Sequence, residues 1–288
     1  MTAHRAGPDV TTQGAGPGGT GIVSALPVRL RSRVVLTLAS LAGLAAFGWP
    51  LVISAGGGVG GQSGDAPLIF LLTLPVLVVV VLAEVSAGGI DAKALALLGV
   101  LSAVNAALRP LGAGTAGVET VFFLLVLSGR VFGPGFGFVL GSTSLFASAL
   151  LTAGVGPWLP FQMLAASWVG LGAGLLPGRV RGKWEIAMLG AYGVLAAYAF
   201  GLLMNLSFWP YATGAGTDLS YVAGGPVLGN LHRFLVFTVV TSTLGWDTGR
   251  ALTNLAAIVV LGPAVLVALR RAARRAAFDV PVDFTPPR

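Results

Sequence analysis

Long apolar runs, divided by short polar or glycine-rich breaks, dominate the chain. Nine of them are candidate membrane spans: 34–54, 67–85, 92–108, 118–132, 134–153, 157–177, 184–206, 231–246 and 251–269. About 20 apolar residues cross a bilayer as a helix, and a helix satisfies its own backbone in lipid. Within the runs, small residues recur every four positions. Gly133, Gly137 and Gly141 do so, as do Gly99, Ala103 and Ala107, with Ser102 and Ala106 beside them. Gly170, Gly174 and Gly178 repeat the pattern, then Gly193, Ala197 and Gly201, and at the start Ala42 and Ala46. This spacing lines small residues along one helix face, where a second backbone can approach closely. Most such stripes read as internal packing; one of them is available as a docking face for another membrane subunit.

Charge decides how many runs cross. Twelve of the 17 basic residues fall into three groups: Arg5, Arg29, Arg31 and Arg33; Arg179, Arg181 and Lys183; and Arg270, Arg271, Arg274, Arg275 and Arg288. Clusters beside apolar spans face the cytoplasm. Nine crossings would place the two basic tails on opposite sides, so one run is not a full crossing. The run 231–246 is the best suspect: it is short, opens on His232 and Arg233, and ends at Trp246-Asp247. It reads as an outer interfacial or re-entrant helix. The alternative, 118–132, has only 15 residues, but omitting it would put the Arg179–Lys183 loop outside. The expected fold is therefore all-α, a polytopic helical bundle of eight crossings in the cell membrane. Both termini and the 179–183 loop are cytoplasmic, and 55–66, 109–117, 154–156 and 207–230 are outer loops. Residues 1–27, rich in Gly, Thr and Pro without periodicity, read as a disordered cytoplasmic tail, and 272–288 as a basic one. No cleaved signal peptide is expected, because the first apolar run starts too far in and is too long.

Composition agrees. Of 288 residues, 55% are hydrophobic and 9% charged, with mean hydropathy +0.89; a soluble chain carries about 25% charged residues. The net charge of +7 is tail and loop charge, not a nucleic-acid footprint. With no cysteine, disulfides, thiolate nucleophiles and cysteine metal sites are excluded.

Few residues are left to carry chemistry, and they gather at the predicted outer ends. Arg109 closes the third span: either it snorkels, or it contacts an anion at the mouth of a pocket, with Glu119 as the obvious ion-pair partner. Asn105, one turn earlier on the same face, bonds either another helix or a ligand. The turn 154–157 leads into Trp158 and Gln162, four apart on one face. Trp158 suits an interfacial aromatic belt or stacking on a planar solute; the amide of Gln162 needs a partner in lipid. Trp209, Tyr211 and Tyr221 lie in a long loop, which reads as a lid or as a connector with belt aromatics. Trp246, Asp247, Arg250 and Asn254 form a second polar group, with Asp247 placed to cap the last span and pair with Arg250, or else to form a pocket wall with Asn254. Glu84 and Arg130 sit near cytoplasmic span ends, where both can snorkel. No catalytic constellation, metal cluster or Walker motif occurs; the only Gly-Lys, Gly182-Lys183, is followed by Trp184. No catalytic role, metal or cofactor is expected, and the chain does not itself hydrolyse nucleotides.

From residue 92 onward the chain resembles the substrate-binding S component of an energy-coupling-factor (ECF) vitamin transporter. The matching features run in order: GVLSAVNAALRPLG, ETVFFLLVLSGRVFGPGFGFVLG, GPWLPFQMLAASWVGLGAGLLP, a basic loop, a further span, an outer excursion with aromatics and a last span ending in RRAARR. The resemblance covers about two thirds of the chain, and its GRVFGPGFGF and GPWLPFQ segments carry most of its specificity. It implies a six-helix core within 92–271, preceded by two additional helices in 28–91 that the simplest pattern lacks. It implies a vitamin or related micronutrient bound near the outer face, cobalamin being suggested by the GPWLPFQ-type pattern. It also implies a transmembrane coupling subunit served by two ATPases, docked through the stripe corresponding to Gly99, Ala103 and Ala107. The substrate contacts would come from Asn105, Arg109, Glu119, Trp158, Gln162, Trp209, Tyr221, Trp246, Asp247, Arg250 and Asn254. Two other classes compete: a stand-alone secondary transporter or channel, which internal repeats would favour, and a membrane enzyme, which the shortage of acids, bases and metal ligands disfavours.

Overall fold

The computed structural model describes residues 30–52, 76, 92–112, 117–156, 158–212, 217–222 and 224–276. Among these every regular element is helical. In chain order they are α1 (Leu30–Val52), α2 (Ala92–Leu108), a 3₁₀ turn (Arg109–Gly112), α3 (Val121–Phe132), α4 (Pro134–Leu151), α5 (Leu159–Leu175), α6 (Lys183–Ala212), α7 (Val227–Thr238), a π-helical stretch (Val239–Asp247), α8 (Thr248–Val260) and α9 (Gly262–Ala276). Among the described residues four segments are long and apolar enough to cross a bilayer: Ala92–Gly112, Pro134–Leu151, Lys183–Pro210 and Val227–Val260. Their outward faces carry Leu95, Val100, Leu195, Val240, Leu252 and Val260, all more than half exposed. Water would not tolerate so continuous an apolar surface on a monomer; lipid would, and the chain reads as a helical membrane protein. The second predicted span, 67–85, and Glu84 with it, lie outside the described residues.

The centre of the bundle is α3, in which every residue from Val121 to Phe132 is buried. Twelve residues make about 18 Å of helix, and protein sheathes it on all sides. It turns directly into α4 at Gly133, whose φ of +93° suits a residue without Cβ, followed by Pro134 at the first helical position. The glycine ladder then works as the spacing predicts. α4 and α5 make the most extensive helix pair, with Gly137 against the Gly170 backbone, Gly141 against Ala166 and Gly174 against Gly133-Pro134. A β-carbon at Gly137 or Gly170 would run into the other's carbonyl group.

On the flank, α1 packs against α5 and α6: Phe47 meets Phe161 edge-on at 4.9 Å, and Trp168 Nε1 donates to Ser40 Oγ at 2.9 Å. Gly190 and Gly193 of α6 receive Leu255 and Ile258 of α8.

Two expectations require correction. The run 231–246 is no separate element. It belongs to one helix from Val227 to Val260, and the break before the last helix falls at Leu261. The π stretch absorbs Gly245 and Trp246-Asp247 without ending the helix, and Asp247 makes no side-chain cap. Arg130, read as snorkelling, is 3% exposed. Its guanidinium donates to Glu185 Oε1 (2.7 Å) and to the carbonyls of Leu176, Pro177 and Val180 (3.0, 3.0 and 2.9 Å). The end of α5 leaves carbonyls without helical partners, and Arg130 satisfies them from inside. Arg270 of α9 adds a second bond to Glu185 Oε1 at 2.7 Å.

Candidate functional site

The second ionic cluster lies at the opposite end of α3. The 3₁₀ turn after α2 carries Arg109, and Glu119 precedes α3 by two residues. Here α8 contributes Arg250, whose Nε donates to Glu119 Oε2 at 2.6 Å and whose Nη1 donates to Asp247 Oδ1 at 2.9 Å. The Arg250 guanidinium also stands over the Phe200 ring at 5.0 Å and the Phe122 ring at 5.8 Å, where the ring faces favour a cation. Asp247 sits against Gly201 of α6, whose missing Cβ makes room for the carboxylate, and its Oδ2 accepts from Ser242 Oγ at 2.9 Å. Asn254 Nδ2 donates to the Glu119 carbonyl at 2.7 Å. Every charge in this group therefore has a counterpart, the condition for charge at membrane depth.

Arg109 is the least engaged of the charges. Its Nη2 donates to Gln162 Oε1 at 2.9 Å, while its Nε lies 3.9 Å from Glu119, outside hydrogen-bonding reach. Arg109, Glu119, Trp158, Gln162, Trp246 and Arg250 line one cavity of about 340 Å³, together with Thr152, Gly154 and Phe200. A second cavity of about 330 Å³ adjoins it, sharing Gln162, Phe200, Trp246 and Arg250 and adding Met204, Asn205, Phe208, Thr241, Ser242 and Asp247. The pair forms a cleft at the end of the bundle opposite the basic 179–183 loop.

Seven of the anticipated site residues thus meet at the cleft: Arg109, Glu119, Trp158, Gln162, Trp246, Asp247 and Arg250. Four do not line it. Asn105 is buried and donates to Ser144 Oγ of α4 at 3.0 Å. Asn254 is fully buried behind Glu119. Trp209, also fully buried, forms a small core with Phe234 and Phe237; its Nε1 donates to the Leu219 carbonyl at 2.8 Å, and Tyr221 packs on it edge-on at 5.4 Å. Burial pushes the Tyr221 phenol above its usual pKa. Asn230 pins this loop by bonding both the N–H and the carbonyl of Val222 (3.1 and 2.9 Å). The aromatics here anchor the loop to α6 and α7 and do not cover the cleft.

Sequence reasoning missed the α6 wall. Phe200, Met204 and Phe208 are spaced by four and flank Gly201 and Asn205. The amide in an otherwise apolar helix was the available signal, as it was at Gln162.

No family model, curated protein or solved structure matches this chain.

Proposed function

We propose that the chain is the membrane-embedded solute-binding subunit of an ECF-type importer, taking a vitamin or related micronutrient, with cobalamin as the leading candidate, into the cleft between α2, α3, α5, α6 and α8. On this reading eight segments cross the membrane, both termini and the basic loop are cytoplasmic, and ATP hydrolysis belongs to partner subunits. The observation that carries the reading is the cleft: arginines, carboxylates, an amide and two indoles from four separate segments converge at one end of an otherwise apolar bundle. Few convergent polar groups in an apolar concavity are what a small-solute site requires.

The stripe proposed for docking supports the same reading. Gly99, Ala103 and Ala107 all face outward from α2, whereas Ala94, Leu98, Leu101, Asn105 and Ala106 face the bundle. A β-carbon at Gly99 would meet nothing within 4 Å. Among the described residues nothing packs on this face at Gly99, which suits it to another transmembrane helix.

Ala103→Leu is accordingly expected to leave folding and solute binding intact while abolishing co-purification with the coupling subunit. Retained co-purification and transport in that variant would count against docking through α2. Gln162→Ala removes the acceptor that orients Arg109, and a hydrogen bond to a charged group contributes about 1.5–3 kcal/mol. Titration of the purified chain with a vitamin panel that includes cobalamin should show at least about a tenfold loss of affinity in this variant. If no vitamin binds the wild-type chain and no ATPase-linked subunit accompanies it from the membrane, the importer reading fails.

A further inference from the structure

The balance of donors and acceptors around the cleft narrows the solute, an inference that rests on the cleft being the solute site. Most of the carboxylate and amide acceptors are used; Glu119 Oε1, 3.9 Å from Arg109 Nε, is not. Glu119 Oε2 takes Arg250, Asp247 takes Arg250 on one oxygen and Ser242 on the other, and Gln162 Oε1 takes Arg109. Because a guanidinium only donates, the Arg109 contact fixes the Gln162 oxygen toward the arginine and leaves its NH₂ group for something else. The donors are in surplus. Arg109 has five N–H groups, of which one bond within 3.5 Å to the described residues is formed. Gln162 Nε2 has no hydrogen-bond acceptor among the described residues, and Asn205 Nδ2, on the cleft's far wall, is buried without one.

The apolar part of the lining is equally specific. Trp158 and Trp246 are 48% and 49% exposed and both line the first cavity, with Phe200 behind them and Phe208 further along the second. Half-open indoles beside unsatisfied donors suit a flat ring with polar edges, since stacked and edge-on aromatic contacts add to the burial of area. An ammonium group is poorly served. Asp247 and one oxygen of Glu119 are already held, and Arg109 stands 3.9 Å from the other Glu119 oxygen, where it would repel a second cation.

We infer that the cleft selects a planar, conjugated solute presenting carboxylate or carbonyl oxygens, its ring lying on the Trp158 and Trp246 indoles and its oxygens taken by Arg109, Gln162 and Asn205. The carboxylate form gains most, because a guanidinium binds two carboxylate oxygens at once.

Calorimetric titration of the purified full chain with three indoles of one ring and different charge tests this: indole-3-acetate, indole-3-acetamide and tryptamine. The acetate should bind tightest, the acetamide next, and tryptamine at least about tenfold more weakly than the acetate. Arg109→Gln should erase the acetate's advantage over the acetamide, weakening the acetate far more than the acetamide, which loses a neutral acceptor contact and no charge pairing. Trp246→Ala should weaken all three. If Arg109→Gln does not fold, Arg109→Lys keeps the charge but loses the planar fork, and should narrow the margin between acetate and acetamide. Tryptamine binding as tightly as the acetate overturns the inference. So does the absence of binding by all three up to about 10 mM, or a margin that neither arginine variant changes. A chain that ranks the three indoles as expected, yet has no coupling subunit and binds no vitamin, sinks the importer reading alone. Tight vitamin binding with the order reversed sinks only the inference about solute class.

Discussion

Glu185→Ala is expected to destabilise the fold by about 3–5 kcal/mol, the usual cost of removing one partner from a buried ion pair. Glu185 and Arg130 are 2% and 3% exposed, so neither can exchange its partner for water. Arg130 would keep its three carbonyl acceptors, but its charge would lie buried without an anion. Arg270, the other partner of Glu185, is 44% exposed at its side chain and can turn to solvent, so its removal should cost far less, within about 1 kcal/mol. Glu185→Gln keeps an acceptor oxygen for Arg130 and should fall between the two. Thermal unfolding of the purified variants in one detergent checks the order Glu185→Ala, Glu185→Gln, Arg270→Ala. An Arg270→Ala variant as unstable as Glu185→Ala would show that the exposed arm of the cluster, not the buried one, holds it together. The cluster also fixes the 176–180 turn to the start of α6, so the Glu185→Ala variant should be cut there first by limited proteolysis.

Much of this arrangement could be read from residue order, and the parts that could not have identifiable causes. For α1 to α5 the helices and their approximate ends followed from apolar run length, because in lipid an unbroken apolar run has little choice but to be a helix. The ends of α2, α3 and α5 at the cleft were legible as one site because Arg109, Glu119, Trp158 and Gln162 all flank short loops. Trp246–Arg250 joined them although its helix continues, since a polar group on an apolar helix needs partners wherever the helix runs. The π stretch was illegible: Gly245, Trp246 and Asp247 look like a stop signal, and only tertiary contacts (Asp247 against Gly201, Ser242 and Arg250) reward continuing. Arg130 was misread for the same reason. Snorkelling and burial are both open to an arginine near a span end, and the choice depends on carbonyls 46 to 50 residues away. Trp209 looked like a lid residue because the apolar run was ended at Leu206, whereas α6 continues to Ala212 through Pro210 and carries the indole into a core with Phe234 and Phe237.

The second large effect separates two stripes that look alike in sequence. Gly99 and Gly170 each head a four-residue spacing of small side chains, yet a β-carbon at Gly99 meets no atom of the described residues within 4 Å while one at Gly170 meets the Gly137 carbonyl and Cα. At Gly170 no side chain can yield, because the opposing atoms are backbone on both helices. Even Gly170→Ala must push α4 from α5, with an expected cost of about 1–3 kcal/mol from overpacking, outweighing the gain of up to about 1 kcal/mol in helix propensity. Gly170→Leu should give no folded protein, because α5 also contacts α3 through Gly129 at the same carbonyl, and separating one pair separates both. Gly99→Ala should be neutral or slightly stabilising, the propensity gain being unopposed, and Gly99→Leu should still fold. Size-exclusion profiles and unfolding midpoints of the four variants check this directly. Equal damage at the two positions would mean that α2 packs through its Gly99 face after all. If instead Gly99→Leu folds, binds solute and fails only to recruit a partner, the outward stripe is a surface kept for something outside the chain, and the inward one is the seam on which the cleft is built.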